Sequence, residues 1–204
     1  LILNVKDFKP LIAVTSTEPL LYGELFSFID FVKQNNLKLQ LTTNGFLLPQ
    51  NAQKIIDSGI DSLWVSIDGT ESVHNYIRGS DKSFANAVNG LKKVYLSRQN
   101  SVKDTPELNI NYSISNYNYF DLNNFVEYLE NLGDLKINIL NFSHLNFVTN
   151  EMADKHNKLF GGKYPATPSS VTDADPLKVD AGKVYNEIEK IKSRKLKNIL
   201  KINF

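Results

Sequence analysis

The sequence predicts an α/β fold in which a parallel sheet, with helices packed on it, forms a barrel or a partial barrel. Stretches with the two-residue period of strands alternate with stretches that have the helical period, and crossovers of this length join parallel strands. Each strand-like stretch ends in a cluster of polar residues. Because enzymes of this class place ligands at the carboxyl ends of their strands, we expect the functional site there.

The strands are predicted from short stretches in which apolar residues alternate with polar ones or follow each other without a break. In the third strand, for example, Leu63, Val65 and Ile67 alternate with Trp64, Ser66 and Asp68. The predicted strands lie near residues 11–15, 37–43, 62–67, 108–115 and 136–142, and a further strand lies within 198–204.

Helices are predicted between the strands because apolar residues recur there every three or four positions. They lie at about 22–35, 48–56, 84–95, 122–132 and 180–193. Gly59 and Gly133 are placed to end two of these helices, and Asp180 is placed to begin the last one. Residues 97–107 are predicted to be a loop because they lack a period, and residues 161–178 because they are rich in turn-forming residues.

Composition limits the classes of function. The formal net charge of +1 gives no reason to expect a nucleic acid or a membrane as partner, and no apolar run approaches the roughly 18 to 20 residues that span a bilayer. We therefore expect a soluble, cytoplasmic protein. Residues 1–204 are assigned to one incomplete domain, because the chain opens on an apolar run without Met and is interpreted as a fragment.

Metal chemistry within the chain is not expected. The sequence has no cysteine, which excludes disulfides and thiolate ligands from these residues. His74, His144 and His156 lack the paired spacing of a zinc site.

The second face of the predicted strands is too polar for a dry surface covered by helices, because each buried unpaired polar group costs about 1 to 3 kcal/mol. This face carries Gln40, Thr42, Asn44, Ser66, Asp68, Asn109, Asn111, Ser113 and Ser115. A barrel lumen that holds a polar ligand explains it better. Asn138, Asn141 and Lys136 are also assigned to this lumen, where they admit many polar substrates.

Four motifs resemble, in order, those of the radical S-adenosylmethionine (radical SAM) enzymes. Residues 16–22, Ser-Thr-Glu-Pro-Leu-Leu-Tyr, resemble the family's Gly-Gly-Glu-Pro motif and the Leu-Leu-Tyr that follows it. Residues 41–45, 65–69 and 74–79 match the ends of the next two strands and the segment after them. The resemblance runs from about residue 10 to 142. It implies a partial (β/α)6-type barrel of parallel strands with helices outside, of the branch that carries a SPASM-type extension.

The resemblance assigns roles at the cofactor's methionyl group. Thr17, Glu18 and Pro19 belong to the loop whose backbone polar groups face the ammonium, with Glu18 helping to fix the loop. Ser66 and Arg78 hold the carboxylate, Arg78 from a loop after the third strand. Ser-Thr in place of Gly-Gly means either that the backbone tolerates side chains there or that binding is altered. The alternatives are a helix cap around Glu18 and a solvated Arg78.

Further residues are assigned to the pocket on the same basis. Thr42 and Asn44 line the ribose and methionine part, although Asn-Gly also favours a turn without any ligand. Asp68 either orients the pocket or caps the next helix. Ser113, with Asn111, faces the lumen and contacts either cofactor or substrate. No catalytic residue is assigned.

The resemblance implies S-adenosylmethionine and a [4Fe–4S] cluster as cofactors. Family members hold the cluster with three cysteines and generate a 5′-deoxyadenosyl radical that abstracts a substrate hydrogen. Because this chain has no cysteine, we expect the cysteine loop upstream of Leu1 and any auxiliary cluster ligands downstream of Phe204.

The full-length enzyme would then take an electron donor and a small-molecule or peptide substrate, in an oligomeric state that the sequence does not indicate. Two alternatives remain. One is a non-enzymatic paralogue that binds a small molecule or peptide in its barrel. The other is a different α/β enzyme with a polar lumen.

Overall fold

Six parallel strands form one sheet in the described part of the protein. The computed structural model describes residues 2–15, 17–101, 104–145, 148–169 and 178–204. In chain order the strands are β1 (Leu11–Val14), β2 (Lys38–Thr43), β3 (Ser62–Ser66), β4 (Glu107–Ile114), β5 (Ile137–His144) and β6 (Ile199–Asn203). They follow the chain order across the sheet, so that β1 and β6 are its two edges. Each observed strand begins and ends within about two residues of its predicted position.

Helices connect these strands. In chain order they are α1 (Ile2–Val5), α2 (Leu25–Gln34), α3 (Leu48–Ser58), α4 (Glu71–Arg78), α5 (Ser83–Gln99), α6 (Leu122–Glu130), α7 (Asn150–Phe160) and α8 (Ala181–Lys192). Five of them, α2, α3, α5, α6 and α8, lie where the sequence predicts helices. Gly59 follows α3 in the left-handed conformation with φ of 66°, and Asp180 caps α8 by accepting from Lys183 N at 3.1 Å.

Three helices lie where the sequence predicts none. The prediction that Arg78 lies in a loop after β3 is wrong, because Glu71–Arg78 forms the helix α4 with His74 buried beneath it. The helix α7 is not predicted because its sequence lacks a clear apolar stripe, and in the structure it buries only Ala153. Residues 161–169 contain neither strand nor helix, as predicted, whereas residues 170–177 of the same segment lie outside the described residues.

The apolar core lies between one face of the sheet and the helices. Leu39, Leu41 and Leu63 are fully buried there. α3 and α5 approach so closely that a side chain at Gly90 would meet Leu48 at 2.6 Å. Burying a leucine contributes roughly 1.5 to 3 kcal/mol, so this face holds the scaffold together.

The other face of the sheet is polar, and the strand register arranges its side chains in rows. Thr42 is the partner of Trp64 across β2 and β3, and Trp64 is the partner of Asn109 across β3 and β4. Partners in a parallel sheet point to the same side. We call this side the polar face. It corresponds to the predicted lumen side, and its rows continue to the carboxyl ends of the strands.

In the part of the chain that the structure describes, no helix is long and apolar enough to cross a bilayer. The assignment of residues 1–204 to one domain stays a prediction.

Candidate functional site

Glu18 ties the loop after β1 to the end of β2. It is only 8% exposed. Its Oε1 accepts from Thr43 Oγ1 at 2.7 Å and from Leu20 N at 3.1 Å, and its Oε2 accepts from Asn44 N at 2.7 Å. Through Leu20 it also caps the short 3₁₀ turn Pro19–Leu21. Both carboxylate oxygens are therefore engaged by the protein, and the side chain fixes the loop.

The backbone at Thr17 keeps the conformation that glycine would favour. Its φ is 31°, in the left-handed region, which costs a β-branched residue about 1 to 2 kcal/mol. The position therefore accepts a side chain at the expense of strain. Thr17, Glu18 and Pro19 line a pocket of about 410 Å³ beside β1, together with Tyr22. Ser16 lies outside the described residues.

Asp68 joins the ends of β3 and β4 to the end of α4. Its Oδ1 accepts from Ser113 N at 3.0 Å, and its Oδ2 pairs with an Arg78 terminal nitrogen at 2.6 Å. Asp68 is 4% exposed, whereas the Arg78 side chain is 33% exposed. The remaining guanidinium N–H groups make no hydrogen bond to a described residue. Asp68 thus orients Arg78 and leaves it free to bind an anion; it does not cap α4.

His74 supports Asp68 from below. The ring is fully buried, its Nδ1 accepts from Asp68 N at 3.0 Å, and its Nε2 lies 3.2 Å from Ser83 Oγ. Because Nδ1 accepts, the neutral ring carries its hydrogen on Nε2 and donates it to Ser83. Burial lowers the pKa of His74 to about 4, against the opposing attraction of Asp68 and with the repulsion of Arg78. The ring is therefore neutral at pH 7.

The free energy of unfolding should fall on acidification because of His74. The folded-state pKa of about 4 lies below the ordinary value of 6.5, so the unfolded chain binds the proton first. The stabilisation is complete above pH 6.5 and is lost as the pH falls to about 4 and below, by about 3 kcal/mol. Urea unfolding at a series of pH values measures this loss. His74→Asn keeps an acceptor without titrating, so its curve should be flatter in this window.

The exposed His144 supplies the matched control. His144→Asn should leave the pH dependence of unfolding unchanged. An equal pH dependence in the native chain and in His74→Asn would show that another group causes it.

Asn118 is a site residue that the sequence did not reveal. It is fully buried, and its Nδ2 donates to Asp68 O at 3.0 Å and to Ser113 O at 2.8 Å. Its Oδ1 accepts from Ser115 N at 2.7 Å, and its own backbone oxygen accepts from Tyr112 Oη at 2.7 Å. One amide side chain therefore holds the carboxyl ends of β3 and β4 at a fixed spacing.

Asp121 holds the turn after β3 through hydrogen bonds, and the sequence did not indicate this residue either. Its Oδ2 accepts from Thr70 N at 2.7 Å and from Thr70 Oγ1 at 2.9 Å. Gly69 lies against it with φ of 148°, and a Cβ there would meet Asp121 Oδ2 at 2.9 Å and Val73 at 2.8 Å. The turn therefore requires glycine beside this carboxylate.

A cleft of about 510 Å³ opens where these elements meet. Its lining residues are Asp68, Tyr76, Ile77, Arg78, Ser113, Ser115, Tyr117 and Leu145. Tyr76 and Tyr117 meet edge to face with ring centroids 5.8 Å apart. The cleft thus combines a guanidinium, hydroxyl groups and aromatic rings, three chemistries suited to a carboxylate, a sugar and a flat heterocycle.

The predicted site residues fall into separate groups. Asp68, Arg78 and Ser113 line the cleft, whereas Thr17, Glu18 and Pro19 line the pocket beside β1. Thr42, Asn44 and Ser66 are half-buried and line neither cavity. The Asn44 Oδ1 accepts from Phe46 N at 2.9 Å, which is the turn chemistry that the Asn-Gly pair favours on its own.

Two residues assigned to the lumen point the other way. Asn138 lies on the helix side of β5, and Lys136 lies just before that strand with its Nζ bonded to residues that precede β6, so their lumen assignment is wrong, whereas Asn141 lies on the polar face. The Asn138 Oδ1 accepts from Leu108 N at 2.9 Å, and the Lys136 Nζ donates to Asn198 Oδ1 at 2.8 Å. Both side chains serve the scaffold.

Comparison with known protein families identifies this arrangement. A model of the Radical SAM superfamily matches residues 2–106, about half of the chain. The chain belongs to the Radical SAM superfamily. Members of this superfamily are enzymes that use S-adenosylmethionine and a [4Fe–4S] cluster. Membership of the SPASM-type branch stays a prediction.

Curated relatives share part of the radical SAM chain. A GTP 3′,8-cyclase of Sulfurovum sp. (strain NBC37-1) is 29% identical over 167 residues, covering 78% of this chain and 51% of its own length. An AdoMet-dependent heme synthase of Nitratidesulfovibrio vulgaris is 28% identical over 85 residues, covering 41% of this chain and 23% of its own length. The chain thus spans about half or less of these relatives.

A solved radical SAM neighbour confirms the fold class. Streptococcus suis SuiB, in a crystal structure with bound S-adenosylmethionine, aligns with 100% of this chain and 41% of its own chain. The TM-score is 0.62 at 14% sequence identity. The six-stranded parallel sheet with its helices is therefore the partial barrel that the sequence predicts.

Among the described residues, no group of three or more His, Asp or Glu side chains is placed to hold a metal ion, and the chain has no cysteine. Ligands for a [4Fe–4S] cluster would have to come from residues outside these 204.

Proposed function

We propose that this chain is the cofactor-binding wall of a radical SAM enzyme, and that the cleft at the ends of β3 and β4 binds S-adenosylmethionine. The observation that supports this most is the Asp68–Arg78 pair. The buried Asp68 carboxylate binds the partly exposed Arg78 guanidinium at 2.6 Å and leaves other guanidinium N–H groups available to a ligand. An arginine oriented in this way binds a carboxylate through two parallel hydrogen bonds.

The cleft fits the groups of the cofactor. Arg78 would bind the methionyl carboxylate, the hydroxyl of Ser113 would face the ribose, and the Tyr76–Tyr117 pair would contact the adenine. Because both oxygens of Glu18 are engaged by the protein, the ammonium would meet backbone oxygens of the loop that Glu18 fixes.

When bound beside its cluster, the cofactor supplies hydrogen-atom abstraction from a substrate. The residues of this chain contribute binding and orientation: Asp68 holds Arg78, and His74 and Asn118 hold Asp68. The proposal includes cluster cysteines and an electron donor from outside this chain, and a small-molecule or peptide substrate on the polar face. A cytoplasmic location stays a prediction.

Replacing Arg78 tests the proposal. Arg78→Lys keeps the charge beside Asp68 but removes the planar fork, so the affinity for S-adenosylmethionine should fall about 10- to 100-fold, the worth of one or two charge-assisted hydrogen bonds. Calorimetric titration of S-adenosylmethionine into the anaerobically reconstituted full-length protein measures this affinity.

Arg194→Lys is the matched control, because Arg194 bonds to Asn123 and Glu127 and does not line the cleft. This variant should bind S-adenosylmethionine as the native protein does. Equal affinity in Arg78→Lys and in the native protein would contradict the proposed site. Absence of binding in the native protein would favour a barrel that has lost its cofactor.

A further inference from the structure

We propose that three asparagines on the polar face form a substrate subsite for a planar amide group. This inference rests on the proposed function and concerns the substrate rather than the cofactor. The residues are Asn111 on β4, Asn141 on β5 and Asn203 on β6, and we call them the asparagine row. The chemical class of the ligand is a group that presents a carbonyl oxygen and an N–H side by side, as a peptide bond or a nucleobase does.

The strand register places the asparagine row at one level of the sheet. Asn111 is the partner of Asn141, and Asn141 is the partner of Asn203. All three are half-buried. The Nδ2 of Asn141 donates to Asn111 Oδ1 at 2.7 Å, and described residues provide no other side-chain hydrogen bond to the three amides. Most of their donors and acceptors therefore face the open side of the sheet.

Strand formation does not explain asparagine at these positions. Asparagine is depleted in strands, and parallel strands normally carry apolar residues on both faces. On the other face of the same strands, the residues next to the row are Ile110, Leu140 and Ile202, which follow that rule. Where a sequence departs from local preference on one face only, a functional reason is the usual cause.

Polar side chains two residues earlier on the strands, one level below the asparagine row, also lack hydrogen-bond partners. Trp64 and Asn109 are register partners there, and neither Trp64 Nε1 nor Asn109 Oδ1, both buried, has a hydrogen-bond partner among the described residues. The same level carries Ile139 and the exposed Lys201. The two levels across β3 to β6 thus present no carboxylate, so they favour a neutral or anionic ligand over a cation.

The chemistry of the row selects the ligand. A side-chain amide offers one acceptor and two donors in a plane, and pairs through two hydrogen bonds with another amide-like edge. Asn111 precedes the cleft residue Ser113 by two positions, which is about 7 Å along a strand. A ligand on the row would therefore lie next to the cofactor in the cleft, as a substrate must.

Valine substitutions separate a binding role from a structural one. Asn141→Val and Asn203→Val place a strong strand former on the polar face, so the urea midpoint of unfolding should stay the same or rise. Asn138→Val is the matched control on the opposite face of β5, and its midpoint should fall because Leu108 N loses its acceptor. A fall in Asn141→Val and Asn203→Val as large as in Asn138→Val would overturn the inference.

Binding is measured with simple probes on the full-length protein. N-acetylalanine N-methylamide and inosine are titrated while the side-chain amide signals of the row are followed by NMR, with methyl acetate as a probe that lacks the N–H. At least one amide probe should shift these signals saturably, and Asn141→Val should weaken that binding about tenfold or more. The probe that binds more tightly indicates a peptide or a nucleobase substrate.

Shifts by neither amide probe, or equal shifts by methyl acetate, would overturn the inference. S-adenosylmethionine is titrated into the same samples to keep the two proposals apart. If it binds while neither amide probe does, the asparagine row fails and the proposed function stands. If it does not bind, the proposed function fails, whatever the row does.

Discussion

Asn118→Asp is expected to destabilise the protein by about 3 to 5 kcal/mol, the range for a buried charge without a partner. The Nδ2 of Asn118 donates to the backbone oxygens of Asp68 and Ser113. In an aspartate, a charged carboxylate oxygen replaces this donor and faces the same two backbone oxygens, which are acceptors as well. The acceptor side would be preserved, because Oδ1 accepts from Ser115 N and Oγ. Urea unfolding at pH 7 measures the loss.

The pH dependence of this variant gives a second readout. Burial against two carbonyl oxygens raises the folded-state pKa of the introduced carboxyl above its unfolded value of about 3.9. The folded state then binds more protons than the unfolded state, so the penalty is small at or below pH 4 and grows as the pH rises toward 7. A penalty that is the same at pH 4 and pH 7 would contradict the argument.

Asn89→Asp is the matched control for the chemical change. Asn89 is exposed on α5, so the same substitution there should change the free energy of unfolding by no more than about 0.5 kcal/mol. A loss in Asn118→Asp no larger than in Asn89→Asp would show that the ends of β3 and β4 do not depend on this amide.

The predictable parts of the fold are those fixed by neighbours in the sequence. The alternation of Leu63, Val65 and Ile67 sets both the position of β3 and the face that it buries. Gly59 and Asp180 end and begin helices through contacts within three or four residues. Such short-range rules act before any tertiary contact forms, so they can be read directly from the sequence.

α4 could not be predicted because tertiary contacts determine it. The segment has eight residues, too few for a helix that is stable alone, and its central side chain is a histidine rather than an apolar residue. His74 is buried because it accepts from Asp68 N and contacts Phe84 with ring centroids 6.0 Å apart. Neither partner can be inferred from the local pattern.

The site residues divide in the same way. The end of β3 identifies Asp68 and the motif resemblance identifies Arg78, whereas Asn118 and Asp121 bond to groups 50 and 51 residues away. The face of Asn138 carries no clear local signal. Ile137 and Ile139 lie on one side of β5 and Leu140 on the other, so apolar residues mark both sides of the strand, and only the strand register assigns position 138 to the helix side.

Glu18→Ala is expected to destabilise the protein by about 4 kcal/mol, because hydrogen bonds to a charged group contribute about 1.5 to 3 kcal/mol each. The change removes the acceptor from Thr43 Oγ1, from Asn44 N and from Leu20 N. Thr43 Oγ1 in turn accepts from Gly45 N at 3.0 Å, so the turn after β2 should loosen with it. Unfolding in urea measures the loss of stability.

Glu18→Gln distinguishes this chain of hydrogen bonds from a loss of side-chain volume. Glutamine keeps the shape, but its NH₂ must face either Asn44 N or Leu20 N, and a backbone N–H cannot accept. We expect a loss of about 1 to 3 kcal/mol and faster hydrogen exchange at Asn44 and Gly45. Glu24→Gln, at an exposed position without a side-chain cap bond, should change neither. If Glu18→Gln is as stable as the native protein, the loop after β1 is held by packing instead.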